Sequence, residues 1–226
     1  MEFSYFTKLT SRTPLTATME KIVGRTRTCP AIIEQTANAR NWYQKGRKRK
    51  GDNIKIQMPA FAPAAILDSG KSKEEVIDLT GLCFLDIDHI SEEDAKKTVK
   101  ILSKDPFTRL ASISVSGKGV HLLVRYTVDF GDYDYPFISS PEKLRKLYKG
   151  VFIQLAKHYT QKLGLQVDMS GENAERLCIV SHDPKVYYNS DSTAYIYDIT
   201  NNTIINTLRL LRVFLITDCL CSLLFV

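Results

Sequence analysis

The chain has 226 residues, of which 44% are hydrophobic and 25% are charged. These proportions are ordinary for a soluble globular protein, and they exclude a fold that depends on metal ions or disulfides to replace a core. Lys and Arg number 31 against 25 Asp and Glu, for a formal net charge of +6. This surplus favours polyanionic partners through Coulomb attraction and counterion release.

The cysteines predict a reducing compartment. They number five, and Cys83 and Cys178 lie inside apolar runs, where a free cysteine behaves as a small buried hydrophobe. Cys219 and Cys221 are separated by one residue, which is not the spacing of a zinc finger. The first residues contain no basic segment followed by an apolar one, so we expect no secretory signal and a cytoplasmic location.

The chain is predicted to form one folded domain over residues 1–200, followed by an apolar tail over residues 201–226. The longest apolar run of the tail, Val213 to Val226, is shorter than the roughly 20 residues that a membrane-spanning helix needs. We therefore expect no membrane anchor. A core or partner helix remains open for the tail, and so does a truncated or out-of-frame end.

The first third of the folded domain alternates helical and irregular patterns. In chain order the sequence predicts a helix over residues 36–42, a basic turn over 45–50, a short strand over 54–57 and a connecting loop over 60–75.

The remaining elements alternate strands with helices. A buried strand is predicted over 82–87. The next predicted element is a helix that Ser91 caps and Pro106 ends, and two strands over 110–116 and 120–126 follow it. A long helix follows from Pro141 to Gly164, and then a short strand over 177–181. This order predicts the mixed α/β class, or α+β in a finer division.

Two carboxylates, Asp86 and Asp88, stand at the carboxyl end of the strand predicted over 82–87. Side chains two apart on a strand project to the same face. Hard divalent ions such as Mg²⁺ or Mn²⁺ prefer oxygen ligands and leave room for phosphate oxygens. The alternative is structural, with Asp88 capping the turn and Asp86 in a salt bridge.

A glycine-rich turn joins the next two predicted strands, in the segment from Ser114 to His121. Ser116, Lys118 and the backbone N–H groups of the turn could bind a triphosphate, and His121 could donate to a phosphate oxygen. The spacing is not that of a Walker A loop. An ordinary hairpin with a tight turn is the alternative.

A third carboxylate, Asp168, follows an apolar residue shortly after the long helix ends. It could complete a metal site of three carboxylates, or it could begin a turn. Arg176 enters the last predicted strand and needs an anionic partner if it is buried. A nucleotide phosphate and a structural carboxylate are both open as that partner.

The order of these motifs resembles the archaeo-eukaryotic primase (primase-polymerase) superfamily. That family carries an Asp-apolar-Asp motif, a small residue-x-His motif and an apolar-Asp motif. The matching residues here are, in chain order, Asp86 and Asp88, Gly119 and His121, and Asp168. The stretch 54–189 is also similar to the bacterial branch labelled VirE N-terminal domain.

The resemblance implies a primase-polymerase catalytic core, in which helices flank a recognition-motif-like sheet. It implies that Asp86, Asp88 and Asp168 bind two Mg²⁺ or Mn²⁺ ions. The implied reaction is template-directed nucleotidyl transfer, as a DNA primase or polymerase that replicates chromosomal or mobile-element DNA.

The same resemblance assigns the incoming nucleoside triphosphate to His121, with Ser116, Lys118 and Arg176 around it. Gly119 stands where some relatives have serine, and the chain has no zinc-binding cluster of the kind that some primases carry. Relatives of this branch are commonly followed by a helicase-type domain. We therefore expect a helicase to be supplied in trans.

A basic and aromatic segment is the predicted contact for a single-stranded DNA template. Cations neutralise phosphates while an aromatic ring stacks on a base. The candidate residues are Arg40, Trp42, Arg47, Lys48, Arg49 and Lys50. The alternative is a solvated basic loop with Trp42 in the core.

Two other functions remain open. A non-catalytic nucleic-acid-binding module could retain the primase fold. Alternatively, the segment Phe84 to Asp88 resembles the first motif of haloacid-dehalogenase-type phosphatases, where the first Asp is a nucleophile and the second a general acid. That motif requires a Gly-Thr or similar pair after the second Asp, whereas His89 and Ile90 follow Asp88 here.

Overall fold

The computed structural model describes residues 1–129 and 140–199, and it has the mixed α/β character that the sequence predicts. The predicted tail over 201–226 lies outside the described residues. The helices within the described ranges are α1 (Met19–Thr28), α2 (Pro30–Gln44), α3 (Lys48–Lys55), α4 (Glu92–Leu102) and α5 (Pro141–Leu163).

The strands of the described residues form three sheets. In chain order they are β1 (Glu2–Phe6), β2 (Leu15–Thr18), β3 (Ala60–Phe61), β4 (Ala65–Leu67), β5 (Val76–Leu79), β6 (Leu82–Ile87), β7 (Thr108–Ile113), β8 (Val120–Asp129), β9 (Cys178–Ile179), β10 (Tyr187–Tyr188) and β11 (Tyr195–Asp198).

The central sheet is built around β8. Strands β6 and β7 both pair with β8 in antiparallel fashion, on its two sides. They are therefore parallel to each other, and α4 connects them. This is a split β-α-β unit, in which a third strand lies between the two parallel ones. Strand β10 extends the sheet beyond β7, and β11 pairs in parallel with the last part of β8.

The two faces of the central sheet are covered differently. On one face Cys83, Leu85 and Ile87 of β6 belong to a core cluster that includes α4 and α5. On the other face Leu82 and Phe84 belong to a cluster with α1, α2 and the second sheet, whose strand order is β2-β1-β3-β9. Because both faces of β6 are buried, its sequence is a continuous apolar run.

Local signals in the sequence explain the ends of the two helices that cover the first face. The hydroxyl of Ser91 accepts a hydrogen bond from Asp94 N at 3.0 Å, as the prediction of its cap requires. Ser140 caps α5 in the same way. Gly164 ends α5 with φ +66°, a left-handed conformation that glycine adopts without strain.

The predictions for residues 45–75 are partly wrong. The predicted strand over 54–57 is instead the end of α3 and the turn after it. The basic stretch has a turn at Gly46, with φ +67°, and then begins α3. The predicted loop over 60–75 contains β3 and β4. A four-residue alternation is too short to distinguish a strand from a helix with one buried side.

Within residues 1–129 and 140–199, no helix has the length and apolar character that crossing a membrane requires.

Gly51 and Gly24 are both in helices but differ in their surroundings. Replacing Gly51 with alanine and replacing Gly24 with alanine should therefore change the free energy of unfolding in opposite directions. A Cβ on Gly51 of α3 would lie 2.5 Å from the ring of Tyr43, whose hydroxyl is anchored to Asp52 at 2.9 Å. A Cβ on Gly24 of α1 would have nothing within 4 Å. We expect Gly51→Ala to destabilise the fold by about 1–3 kcal/mol through overpacking. Gly24→Ala should stabilise it by roughly 0.5–1 kcal/mol.

Urea denaturation of the two variants beside the wild type measures both changes. Equal midpoints for the two variants would contradict the tight packing between α2 and α3.

Candidate metal and nucleotide site

Asp86 and Asp88 stand where β6 leaves the central sheet. Asp86 is 7% exposed and lies directly opposite His121 in the antiparallel register of β6 and β8. The side chain of Asp88 is exposed, just beyond the strand. His89 then takes a positive φ of 60°, which turns the chain away from the sheet.

Asp168 reaches the same place from a distant part of the chain. Its backbone N–H donates to the carbonyl of Asp86 at 2.7 Å, so the segment after α5 lies along the free side of β6. Its carboxylate caps the short 3₁₀ helix Met169–Glu172 by accepting from Ser170 N at 2.9 Å. Ligand oxygens of Asp86, Asp88 and Asp168 lie within 4.8 Å of one another. The predicted grouping of the three carboxylates is therefore present, at a spacing that can hold a divalent ion.

Arg176 provides the positive charge closest to these carboxylates. One terminal nitrogen of its guanidinium lies 2.9 Å from Asp168 Oδ2 and 3.4 Å from Asp86 Oδ2. Its other terminal nitrogen contacts the hydroxyl of Ser170. The sequence left a phosphate and a structural carboxylate open as its partner, and the structure gives it two carboxylates.

The pKa values of Asp168 and Asp88 are shifted in opposite directions. Desolvation tends to raise the pKa of Asp168, but hydrogen bonds from Ser170 and the charge of Arg176 outweigh it and lower that pKa. Desolvation and the nearby Asp86 carboxylate raise the pKa of Asp88. The negative charge is therefore least compensated on the side of Asp88.

Asp86 also carries an unsatisfied oxygen. Its Oδ1 is buried and has no hydrogen-bond partner among the described residues. Burying a carboxylate oxygen without a partner is costly, and a bound cation would offset that cost. This oxygen, together with the all-oxygen donor set, fits a hard divalent ion such as Mg²⁺ or Mn²⁺.

His121 is buried at the base of the carboxylate cluster. Its Nε2 lies 4.0 Å from Asp86 Oδ1, and its Nδ1 lies 3.5 Å from Cys178 Sγ on β9. Burial lowers the pKa of His121, and the charge of Asp86 opposes that shift only in part. Burial therefore opposes a charged imidazole beside the carboxylates.

The predicted phosphate-binding hairpin lies beside the same cluster. A Cβ on Gly119 would stand 2.6 Å from the carbonyl of Ile87 and 2.8 Å from Asp88 Oδ1, so only glycine fits there. The Ser116 hydroxyl accepts from Lys118 N at 3.1 Å, which closes the turn. Lys118 itself is exposed.

Arg40 lies beneath this hairpin and not on the basic surface. Its guanidinium donates to the carbonyls of Ser114 and Val115 at 3.1 and 3.2 Å, and to that of His182 at 3.4 Å. Burial lowers its pKa. The sequence predicted Arg40 as a template contact, whereas these hydrogen bonds use its guanidinium to support the turn.

The other predicted template contacts lie on the surface at the end of α2 and on α3. The exposed cations are Arg47, Lys48, Arg49 and Lys50. Trp42 is partly exposed, with the ammonium of Lys50 4.3 Å from its ring centroid. Lys48 is partly neutralised, since its Nζ lies 2.7 Å from Asp52 Oδ2.

Lys55, which sequence reasoning missed, connects this basic surface to the carboxylates. It is the last residue of α3, and its charge contributes to the pKa values of both Asp88 and His121. The incorrect prediction of a strand over 54–57 is the reason why Lys55 was not assigned to a helix. Helical spacing from Lys48 through Asp52 to Lys55 was the signal that could have placed it on α3.

Comparison with known proteins bears on the region that contains this site. A family model described as the BT4734-like, N-terminal domain matches residues 53–188, more than half of the chain. The chain belongs to the BT4734-like N-terminal domain family. The BT4734-like region includes the three carboxylates, His121 and Arg176, and it begins after Lys50. No curated protein and no solved structure matches the chain.

The description of the BT4734-like family names neither primases nor the VirE N-terminal domain. The expected membership of the primase superfamily therefore stays a prediction.

Divalent ions should stabilise the wild-type protein against heat. A ligand at about 100 times its dissociation constant stabilises the fold by about 2.7 kcal/mol, which is roughly 5–10 °C in Tm for a chain of this size. We expect such a shift with Mn²⁺, and its loss in Asp88→Asn, because that variant removes an exposed ligand with little effect on packing. Differential scanning calorimetry measures both.

Glu93→Gln is the matched control, since Glu93 is an exposed carboxylate of α4 that is not one of the three grouped carboxylates and forms an ion pair with Lys97. An equal Mn²⁺ shift in Asp88→Asn and Glu93→Gln would show that the ions bind elsewhere.

Proposed function

We propose that this chain is a template-directed nucleotidyltransferase, a DNA primase or polymerase that uses Mg²⁺ or Mn²⁺. The observation that carries the proposal is the convergence of separate sequence motifs. Asp86 from β6, Asp88 just after it, His121 from β8 and Asp168 from beyond α5 lie together, with the carboxylate oxygens within 4.8 Å of one another. The first motif of a haloacid-dehalogenase-type phosphatase requires a Gly-Thr or similar pair after the second Asp, whereas His89 and Ile90 follow Asp88 here.

The connectivity of the central sheet supports the same proposal. The order β6-α4-β7-β8-α5 forms a split β-α-β unit, and the chain after α5 returns to the free side of β6 at Asp168. The recognition-motif-like sheet implied by the primase resemblance is of this kind. In this arrangement the carboxylates lie at the end of β6 and on the segment after α5 that runs beside it.

Asp86, Asp88 and Asp168 would hold the divalent ions. When bound, such ions would activate a primer 3′-hydroxyl and neutralise charge on the leaving pyrophosphate. The contribution of the chain is to fix oxygen donors at the end of β6 and on the segment after α5, and to keep Asp86 Oδ1 without a competing protein donor. Nucleotidyl transfer needs mainly such positioning and charge neutralisation.

The remaining polar groups around the carboxylates suit a triphosphate. His121 is buried at the base of the cluster and can donate a hydrogen bond to a phosphate oxygen. Lys118 is exposed on the hairpin and free to move toward a phosphate, and Ser116 holds the turn that carries it. Arg176 can reach a phosphate by giving up one carboxylate, which matches its predicted role in nucleotide binding.

The template would lie along α3. Arg47, Arg49 and Lys50 present exposed cations, and Trp42 offers a partly exposed ring for stacking. Lys55 continues the positive charge toward Asp88. A single strand following this surface would reach the carboxylates at the end of the helix. Replication of chromosomal or mobile-element DNA in the cytoplasm, with a helicase supplied in trans, is the corresponding cellular role.

Primer synthesis and primer extension on a single-stranded DNA template test the proposal. With Mg²⁺ or Mn²⁺ and labelled nucleotides, we expect product from the wild type. Asp86→Asn/Asp88→Asn should lower synthesis by roughly 100-fold or more, because it removes charge stabilisation at the reacting phosphate. Glu93→Gln should be as active as the wild type.

The binding-module alternative gives a different result in the same experiment. It predicts no product from any variant, while the wild type and Asp86→Asn/Asp88→Asn retain the template equally. That outcome, with all proteins folded by circular dichroism, would overturn the enzymatic proposal.

The exposed cations on α3 and just before it predict how strongly salt weakens the binding of single-stranded DNA. Removing two of these cations should make the binding less dependent on salt. With single strands, each phosphate that the protein neutralises contributes about 0.7 to the slope of log affinity against log salt. We therefore expect Arg47→Ala/Arg49→Ala to weaken binding to single-stranded DNA and to reduce the slope by roughly 1.4. Fluorescence anisotropy at several salt concentrations measures it.

Lys100→Ala/Lys104→Ala is the control, because it removes the same charge from exposed positions at the end of α4 and just after it. Equal slopes for the two double variants would mean that α3 has no special role in holding the strand.

A further inference from the structure

The described residues form a surface cavity of about 520 Å³ at the C-terminal end of α4. Its lining residues are Lys97, Lys100, Ile101, Lys104, Asp105 and Lys162. The first four recur at helical spacing, so they share one face of α4 and of the turn that follows it. The lining is mostly apolar although four of the six residues are lysines, because lysine stems cover apolar surface while their ammonium groups stay in water.

The cavity lies at the end of the central sheet that is remote from the candidate site. Helix α4 begins beyond the carboxyl end of β6, where Asp86 stands, and it ends before the start of β7. Cys83 near the start of β6 and Thr108 at the start of β7 both pair with Val124 of β8, so the two starts lie at the same end of the sheet. Asp105 lies just before β7, at that end. A molecule bound in the cavity would therefore leave the candidate site open.

Asp105 does not cancel the positive charge of the cavity. Its Oδ1 accepts hydrogen bonds from Phe107 N at 2.8 Å and from the Tyr159 hydroxyl at 3.2 Å. Its Oδ2 contacts the ammonium of Lys162, and its side chain is fully buried. This carboxylate is therefore occupied by groups of the protein itself, and its charge is balanced by one of the four lysines.

Two of the remaining lysines keep an uncompensated charge. Lys97 is paired with Glu93, with 2.7 Å between the ammonium and the carboxylate. Lys100 and Lys104 are exposed, and within residues 1–129 and 140–199 they form no ion pair. Ile101 stands between them with 50% of its surface exposed. Cations at the C-terminal end of a helix complement its dipole, but that effect accounts for neither the exposed isoleucine nor the concave surface.

We propose that this cavity is a docking site for an acidic segment of a partner protein, in which carboxylates flank one apolar side chain. The carboxylates would pair with Lys100 and Lys104 at the rim, while the apolar side chain would enter the cavity against Ile101. Single-stranded DNA is a less suitable occupant, since its bases stack on aromatic rings and none is among the lining residues. Because exposed ion pairs are weak and screened by salt, the interaction should weaken as salt rises.

Selection from a library of random linear peptides displayed on phage tests the inference without a known partner. On the immobilised full-length chain at low salt, we expect enrichment of peptides in which Asp or Glu flanks Leu, Ile or Phe. The same selection on Lys100→Glu should lose these peptides. Lys96→Glu is the matched control and should retain them, because Lys96 is exposed on the same helix but does not line the cavity.

Fluorescence anisotropy with one enriched peptide as the labelled probe then measures the contributions of charge and of apolar contact. Lys100→Glu should raise the Kd about 5- to 10-fold, because it reverses one charge at the rim. Ile101→Ser should raise it about 10-fold by removing the apolar contact. A version of the peptide with Asn and Gln in place of Asp and Glu should bind the wild type and Lys100→Glu equally.

Two results would overturn the inference. One is a selection on the wild type that enriches no acidic peptide, or one whose acidic peptides survive Lys100→Glu. The other is a larger loss of affinity for single-stranded DNA in Lys100→Glu than in Lys96→Glu, which would assign the cavity to nucleic acid. Circular dichroism checks that both variants are folded. None of these measurements involves primer synthesis, so the inference and the proposed function can fail separately.

Discussion

The antiparallel pairing of β6 with β8 is the constraint on which the candidate site depends. It places Asp86 opposite His121, and it brings the turn after β7 so close to the end of β6 that only Gly119 fits. Because successive side chains on a strand alternate between faces, a shift of one residue would move Asp86 into the core around α4 and α5. Apolar side chains on both faces of β6 resist such a shift. The packing of the core therefore fixes the geometry of the polar site.

The site concentrates negative charge at a strand end, and the rest of the structure compensates for it unequally. Arg176 bridges Asp86 and Asp168, while Lys55 acts from the end of α3. Within residues 1–129 and 140–199 Asp88 forms no ion pair, and desolvation and Asp86 raise its pKa. A cluster built only for stability would be better balanced, since like charges held close together repel one another. The imbalance is a reason to assign the cluster to ligand binding.

Strong local patterns made much of the site predictable from the sequence. The apolar run of β6, the cap at Ser91 and the glycine after α5 all acted as short-range signals, and the elements they predicted are present. The missed features depend on packing between distant segments. The place of Cys178 next to His121 follows from the packing of β9 against the central sheet, and that of Arg40 from the packing of α2 under the hairpin. No local periodicity encodes either arrangement.

Arg176 connects the charge balance of the site to the order of events in the proposed reaction. Its guanidinium contacts the Oδ2 atoms of Asp86 and Asp168, whereas Asp86 Oδ1 has no hydrogen-bond partner among the described residues and Asp88 forms no ion pair there. Asp86 Oδ1 and Asp88 could therefore hold a cation without displacing Arg176, whereas a cation held by Asp86 and Asp168 through their Oδ2 atoms would compete with it. A bound triphosphate would offer Arg176 new anionic partners in place of these carboxylates. Under the proposed function, the arginine that balances the carboxylates before binding is thus available to balance the phosphates after it.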